Sequence, residues 1–372
     1  MQLMDRFDQR LRGICLIAAV YVYFLIYAQF GFLHRLREAF PESSWNPVLG
    51  VMCVAGLIGA LYAAVKFEAS RGRRWLLISF IGAAVGASLT IVGTYLAVFF
   101  LSAFISGFSL AVLTVSLIGV LANELPVKGI GVVCGLGTGI AYLLSNVPFV
   151  FNALPRSQCI WALLACVFGV YLTQGLPKTI ADSKERISVC PKDATKSDIR
   201  QLMGLVLVFL ILIWSDSAAF TRIQETPDLK AASWSGAGAL WSIGLLHFLA
   251  AIVGGWLMDC KFAGLLYVLA LAGLAYGLYG LETNQSGLFP VWIYAGAVSL
   301  YSTALVAVAL VDRKGLRPTL IAGVIFGISG WIGSAMGIGM VQDLGSVPRG
   351  YWIAASFFML PGLWLLKRKE TV

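Results

Sequence analysis

The sequence predicts an all-α polytopic membrane protein in which twelve transmembrane helices form two pseudo-symmetric six-helix halves. Three observations lead to this fold class. The chain of 372 residues is 59% hydrophobic and only 12% charged, whereas soluble domains carry roughly 25% charged residues. Its apolar runs have the length of about 20 residues that a helix needs to cross a bilayer. Its basic residues are distributed over the connecting segments as alternating spans require.

Charges and turn residues divide the chain into twelve apolar segments. The first follows three arginines and is too long for a cleaved signal peptide, so we interpret it as an uncleaved span. The run 75–121 contains no charge and has twice the length of a span, so it is divided near Gly93. Asp259 and Lys261 separate the eighth and ninth segments. The predicted spans are 13–33, 47–66, 75–93, 96–122, 129–152, 158–176, 201–221, 234–258, 262–281, 288–311, 318–341 and 350–366.

The basic residues predict the orientation in the membrane. If the N-terminus is cytoplasmic, 21 of the 27 Lys and Arg residues fall in cytoplasmic segments and six fall in outer loops. This asymmetry is the positive-inside pattern, and it predicts a multi-pass protein of the cell inner membrane with both termini in the cytoplasm. The same pattern explains the net charge of +9 without a nucleic-acid partner.

The longest polar stretch, residues 178–200, follows the sixth span. It predicts an N-terminal half over 1–177, a cytoplasmic inter-half loop over 178–200 and a C-terminal half over 201–372. Internal similarity favours this division, because Arg35 and Glu38 at the end of the first span correspond to Arg222 and Glu225 at the end of the seventh, at a constant offset of 187. Parallel six-helix repeats are typical of one large class of transporters.

The loop after the eighth span carries a specific motif. Gly255, Leu257 and Asp259, with Lys261 nearby, occupy the positions of a G-x-L-x-D pattern that resembles the loop motif of the major facilitator superfamily. The resemblance implies a conformational latch whose charges pair with neighbouring helix ends, and it does not imply a substrate site. A tight turn with inside-positive charge is the alternative for the motif taken alone.

The loop after the second span is a degenerate copy of this motif. It keeps the basic ending in Gly72, Arg73 and Arg74, but Glu68 stands one residue too early for the usual acid. The resemblance therefore covers the whole chain in topology and about a dozen residues in motif.

The fifth span contains glycines at Gly131, Gly135 and Gly139, similar to the glycine-rich motif of the superfamily's antiporters. Leu136 stands where that motif has proline, and Ile140 replaces its last glycine. Small residues four apart also let membrane helices approach closely without any role in transport. We favour this packing interpretation over an antiporter signature.

Two ionisable residues lie inside predicted spans, where such groups are costly and therefore candidates for function. Asp216 and His247 lie at similar depth, roughly 22 Å and 18 Å from the cytoplasmic side at 1.5 Å per residue. Together they predict a proton-coupling pair, because a carboxylate and an imidazole can hold and pass a proton. The alternatives are a structural hydrogen bond for His247 and a water-exposed position near the outer surface for Asp216.

Other polar and aromatic residues at comparable depth predict a substrate cavity. Polar side chains also bridge membrane helices structurally, and this alternative stays open for each residue taken singly. Tyr301 and Trp331 lie in spans that border the cavity in the family that this chain resembles. Their aromatic rings favour a solute with a flat or apolar part. The candidate cavity residues are Gln29, Asn146, Ser217, Tyr301 and Trp331.

Charged residues near the outer ends of the first and seventh spans predict an extracellular gate. Arg35 and Arg222 would form it with Glu38 and Glu225. Ordinary charged loop edges are the alternative, and we favour that alternative.

The sequence contains little that indicates metal or enzyme chemistry. Met336 and Met340 place two thioethers on one helix face, which gives copper(I) as a minor alternative substrate. The seven cysteines form no C-x-x-C pair. We find no P-loop, no H-E-x-x-H and no G-x-S-x-G at a strand–helix turn, so no cofactor and no enzyme activity are predicted.

These observations predict a secondary active transporter of the major facilitator type. It would move a small polar or amphipathic solute by alternating access, with proton coupling, as a monomer in the lipid bilayer. A non-transporting membrane scaffold or assembly factor on the same fold is the alternative, and it should tolerate neutralisation of Asp216. A polytopic membrane enzyme should show clustered catalytic residues at one membrane face, and the sequence shows no such cluster.

Overall fold

The structure is a computed structural model that describes residues 2–176, 195–234, 236–283, 288–311 and 315–366, with side chains described from residue 8 onwards. Long helices dominate these ranges. Most of the predicted inter-half loop, 178–200, lies outside the described residues. Within that loop, Lys196 already begins the seventh long helix, because Thr195 and Asp198 form a capping box with N–H···O distances of 3.2 and 3.0 Å.

The N-terminal half contains six long helices. Helix α1 consists of Gln2–Tyr23, a π-helical segment Phe24–Gly31 and Phe32–Ala39. The others are α2 (Trp45–Lys66), α3 (Gly72–Val92), α4 (Leu96–Glu124), α5 (Ile130–Ser145) and α6 (Pro155–Gln174).

The C-terminal half has the same number of long helices within the described ranges. Helix α11 consists of Pro318–Val324, a π-helical segment Ile325–Ile332 and Gly333–Leu344. The others are α7 (Lys196–Glu225), α8 (Gly236–Asp259), α9 (Ala263–Glu282), α10 (Phe289–Val311) and α12 (Arg349–Leu366). A short helix, Pro227–Trp234, precedes α8.

The helix set agrees with the predicted membrane topology. Ten helices in the described part of the chain are long and apolar enough to cross a membrane, and α5 is a shorter apolar helix. Helix α12, with 18 residues, is less apolar than these ten, and it completes a set of twelve that is consistent with the prediction. The charge-free run divides as predicted, because α3 ends at Val92 and α4 begins at Leu96. Asp259 and Lys261 also separate α8 from α9, and Lys261 takes the left-handed backbone conformation with φ of 64°.

The fifth predicted span, 129–152, is wrong as a single helix. Helix α5 ends at Ser145, and a separate turn of helix covers Pro148–Phe151. Pro148 explains the break, because a proline excludes the residue before it from the helical region and provides no N–H. Val147 accordingly has extended backbone angles, with φ of −61° and ψ of 126°.

The two halves meet through a few helix pairs. Helix α5 packs against α8 and α10, and α2 packs against α11. Following the predicted orientation, we call the face with Lys66 and Asp259 the inner face, and the face with Ala39 and Glu225 the outer face.

Glycines bring α5 and α8 into backbone contact. A Cβ at Gly131 would collide with the backbone of Gly255, and a Cβ at Gly135 would collide with the backbone of Ala251. Gly139 lies against Phe248 in the same way. This geometry supports the packing interpretation of the glycine pattern.

We expect Gly135→Val to destabilise the folded protein by about 1–3 kcal/mol, because overpacking forces the two backbones apart. Thermal unfolding of the purified protein in detergent should show a lower midpoint. Gly264→Val in α9 is the matched control, since nothing lies within 4 Å of a Cβ at that position. Equal midpoints for the two variants would contradict the close-packing argument.

Candidate functional site

A large cavity separates the two halves and opens at the outer face. It encloses about 2220 Å³ of empty space, part of it continuous with the outer solution. Helices α1, α2 and α4 line one side and α7, α10 and α11 line the other. Its floor lies near mid-membrane at Leu110, Thr114 and Leu305, and its mouth includes Trp45 and Asp343. We call this space the main cavity.

The inner side of the interface between the halves is closed. The carboxylate of Asp259 accepts hydrogen bonds from the backbone N–H groups of Gly131 at 2.8 Å and Val132 at 3.0 Å. These donors are at the N-terminus of α5, where free N–H groups and the helix dipole favour an anion. Asp259 with Gly131 and Val132 forms what we call the inner lock. The structure thus places the motif acid at a helix end, as predicted, and the latch role stays a prediction.

The other residues of the two loop motifs take no part in these two hydrogen bonds. Gly255 and Leu257 are buried, and Lys261 is exposed. In the degenerate copy, Glu68 pairs with Arg71 at 3.2 Å within its own loop. Gly72 is buried at the start of α3, Arg73 is half-buried and Arg74 is exposed.

Among the described carboxylates that line the main cavity, Asp216 of α7 is the buried one, with an exposed fraction of 7%. Tyr294 Oη donates a hydrogen bond to Asp216 Oδ1 at 2.7 Å, and Tyr301 donates one to Oδ2. Within the described residues, no cationic side chain pairs with this carboxylate. A buried carboxylate is costly unless its charge is paired, hydrogen-bonded or neutralised by a proton.

A second, smaller space lies on the other side of Asp216, with about 640 Å³ of empty volume that includes open solvent. We call it the side chamber. Asp216, Gln29, Tyr142 and Phe220 line both spaces, whereas His247 lines only the side chamber.

The structure does not join Asp216 and His247 by a hydrogen bond. His247 Nδ1 is 2.7 Å from Ser299 Oγ, and its ring stacks on Tyr142 with centroids 4.4 Å apart. The predicted pair therefore shares the side chamber but has separate partners. Both residues are held by α10, through its two tyrosines and Ser299.

Helix α10 supplies most of the polar groups at this depth, and the sequence analysis largely missed them. Ser302 Oγ bonds Tyr142 Oη at 2.9 Å, and the Ser302 carbonyl accepts from Tyr21 Oη at 3.2 Å. Thr303 bonds Thr138 of α5 at 2.8 Å. A usable signal was the spacing of Tyr294 and Tyr301, seven residues apart and therefore on one helix face.

The predicted substrate residues divide between the two spaces. Gln29, Ser217, Tyr301 and Trp331 line the main cavity. Asn146 does not, because it ends α5 and lines the side chamber, where its amide donates to the Tyr142 carbonyl at 2.9 Å.

Two of these cavity residues lie in π-helical segments. Gln29 belongs to Phe24–Gly31 of α1, and Trp331 belongs to Ile325–Ile332 of α11. Such segments are rare and occur frequently at functional sites. Trp331 also lies flat against α2, since a Cβ at Gly56 would collide with its indole ring.

The structure gives the residues of the predicted outer gate different partners, and the gate itself stays a prediction. Arg35 pairs with Glu38 in its own helix at 3.0 Å, and Arg222 pairs with Glu282 at 3.2 Å. None of these lines the main cavity. The cross-half ion pair is Arg37–Glu225, at 3.0 Å, and both of its residues lie at the cavity mouth.

Arg35 is buried against the end of α3, where it donates to the Gly93 carbonyl at 3.5 Å. Arg37 follows two residues later and so points about 200° away around the helix, towards the other half.

The structure gives no geometric support to copper. Met336 is exposed and Met340 is half-buried, and neither lines the main cavity. Among the described residues, no group of three or more His, Cys, Asp and Glu side chains is placed to hold a metal ion.

Comparisons with solved structures identify the fold, whereas comparisons of the sequence find no match. No protein-family model matches the sequence, and no curated protein matches it. The human organic anion transporter MFSD10 superposes with a TM-score of 0.67 at 15% identity, over 98% of this chain and 99% of that one.

Two structures of FucP give similar results. FucP in the outward conformation gives a TM-score of 0.62 at 15% identity, over 97% of this chain and all of that chain. A variant of the E. coli fucose:proton symporter FucP gives 0.61 at 15% identity, over 96% and 97%. These likenesses show that the chain has the fold of major facilitator superfamily transporters.

Proposed function

From the major facilitator fold of this membrane protein, we propose that it is a secondary active transporter of the cytoplasmic membrane. It moves a small polar or amphipathic solute by alternating access and couples this movement to protons. It works as a monomer with both termini in the cytoplasm.

The observation that carries this proposal is Asp216. Its carboxylate is buried, reaches the open cavity and, within the described residues, accepts hydrogen bonds from the hydroxyl groups of Tyr294 and Tyr301. Such intramembrane acids mark ion and proton pathways. A proton that binds here neutralises the carboxylate, and this change can be tied to solute binding in the same cavity.

The lining of the main cavity supports an amphipathic solute. Aromatic rings surround the space above Asp216, and Gln29 and Ser217 offer hydrogen bonds beside it. A few polar groups within an apolar wall are the usual composition of a small-molecule site. The aromatic residues of the wall are Tyr21, Phe24, Trp45, Tyr142, Phe220, Tyr301, Phe326 and Trp331.

The arrangement of open and closed regions supports alternating access. The cavity opens outward while the inner lock and the α5–α8 contact close the inner side. An inward-open state requires these inner contacts to separate and the outer ends of the halves to approach.

The test uses the purified protein in liposomes with an imposed pH gradient and a panel of small solutes. We expect at least one solute to accumulate against its gradient, together with a measurable proton movement. Protein-free liposomes are the control. Accumulation without proton movement would contradict proton coupling, and no flux for any solute would favour the scaffold alternative.

A further inference from the structure

The side chamber touches Asp216 from the side opposite the main cavity. The titratable groups around this carboxyl are Tyr294 and Tyr301 of α10, Tyr142 of α5 and His247 of α8. Asp216 therefore lines both the side chamber and the main cavity.

Two hydroxyl groups in the side chamber have no hydrogen-bond partner within the described part of the chain. They are Ser145 Oγ at the end of α5 and Ser233 Oγ in the short helix before α8. Both residues are buried, with exposed fractions of 6% and 1%. Buried hydroxyls normally find partners, and polar cavities of this size provide them through water. Asn146 and His247 line the same space and add further polar groups.

Four aromatic side chains form a ring in the outer wall of this chamber. Phe30 contacts Phe151 and Phe220, with centroids 5.3 and 5.6 Å apart. Trp234 contacts the same two residues, at 5.7 and 5.9 Å. Phe30 and Phe151 belong to the N-terminal half and the other two to the C-terminal half. These four contacts join the two halves through a ring of apolar side chains.

We propose that the side chamber holds water and delivers protons to Asp216 by a route separate from the solute cavity. The chamber joins the carboxyl to the outer side past the two serine hydroxyls, and the aromatic ring keeps solutes out. The inference rests on the proposed function, since it assigns the proton and the solute of the same transporter to different passages.

The first test measures whether the chamber is wet. Ser145→Cys places a thiol in the side chamber. Silver ions reach thiols through water-filled passages. A sulfonatoethyl methanethiosulfonate reagent is larger, and we expect the aromatic ring to hold it back. Peptide-level mass spectrometry of the purified full chain then reports each cysteine. Two native thiols are references: Cys53, which lines the main cavity, and Cys166, which is fully buried.

We expect the introduced thiol to react with silver and resist the larger reagent. Cys53 should react with both and Cys166 with neither. An introduced thiol that resists silver would show a dry chamber and overturn the proposal. A thiol that reacts with the larger reagent as fast as Cys53 would show that the chamber belongs to the main cavity, which also overturns it.

The second test measures proton delivery. The double variant Ser145→Val with Ser233→Val should slow proton-coupled flux by about tenfold or more, because the water contacts are lost. Solute exchange without a pH gradient should stay at the wild-type rate. Ser116→Val is the matched control, because Ser116 in α4 is also buried and unpartnered in the described structure but lines neither space.

Unchanged proton flux in the double variant would overturn the separate route and leave the proposed function intact. If the wild-type protein itself shows no proton flux, the proton coupling of the proposed function is contradicted. Proton delivery through the side chamber is then contradicted as well. The silver result distinguishes these cases, because it does not depend on transport.

Discussion

Asp216→Asn is expected to abolish solute accumulation driven by a pH gradient, down to the level of liposomes without protein. The substitution keeps the shape of the side chain and leaves an acceptor for one of the two tyrosine hydroxyls, Tyr294 or Tyr301. In the proposed function, it removes the group that binds and releases the coupled proton. Solute exchange in the absence of a pH gradient should therefore persist while accumulation is lost.

The measurement compares accumulation and exchange for the same solute in the same liposomes. Asp343→Asn is the matched control, because this carboxylate also lines the main cavity but is exposed at its mouth. It should retain coupled accumulation. If Asp216→Asn accumulates solute as the wild type does, Asp216 is not the proton site. If the variant also loses its fold, thermal unfolding of the purified protein will reveal it.

Much of the fold could be predicted from the sequence, because lipid imposes a simple requirement on each span. An apolar run of sufficient length and a basic loop at its inner end are readable without tertiary contacts. The break at Pro148 was also readable from the proline, although the span 129–152 ignored it. The π segments of α1 and α11 were not readable, because they depend on how each helix packs against its neighbours.

The ionisable residues of the candidate site were the easiest to predict, because such residues are rare in membrane helices. Asp216 and His247 stand out for that reason. Their partners on α10 are tyrosines and serines, which occur in many membrane helices for packing alone. Which of them face the carboxylate depends on the rotation of α10, and single-helix patterns do not fix that rotation relative to α7 and α8.

The charged residues at the outer ends of α1 and α7 show the same limit, because their ion-pair partners could not be predicted from the sequence. The internal similarity aligned Arg35 with Arg222, and both exist at equivalent ends of the two halves. In the structure each pairs inside its own half, and Arg37 reaches Glu225 instead. Equivalent sequence positions therefore do not guarantee equivalent contacts across the interface between the halves.

The closed inner lock and the outward-open main cavity occur together in this structure. In the proposed function, this structure, with the inner side closed by Asp259 and the outer side open, is the outward-open one of the two states that alternating access requires. Contacts made only in this state set the balance between the two. A single substitution at Asp259 removes both hydrogen bonds of the inner lock.

Asp259→Ala is expected to shift the protein strongly away from the outward-open state. It removes two hydrogen bonds between a carboxylate and the backbone N–H groups of Gly131 and Val132. Because Asp259 is half-buried, we expect a loss of about 2 kcal/mol, which changes the ratio of the two states roughly 30-fold. Cys53 reports the change, since it lines the outward-open cavity and closes off when the outer ends approach.

The experiment measures the rate at which a charged thiol reagent modifies Cys53 in the purified protein. Glu68→Ala is the matched control, because Glu68 belongs to the corresponding loop of the other half but pairs only with Arg71 nearby. The rate should fall in Asp259→Ala and stay at the wild-type value in Glu68→Ala. An equal fall in both variants would point to general destabilisation. No fall in either would mean that the α5–α8 glycine contact closes the inner side without help from Asp259.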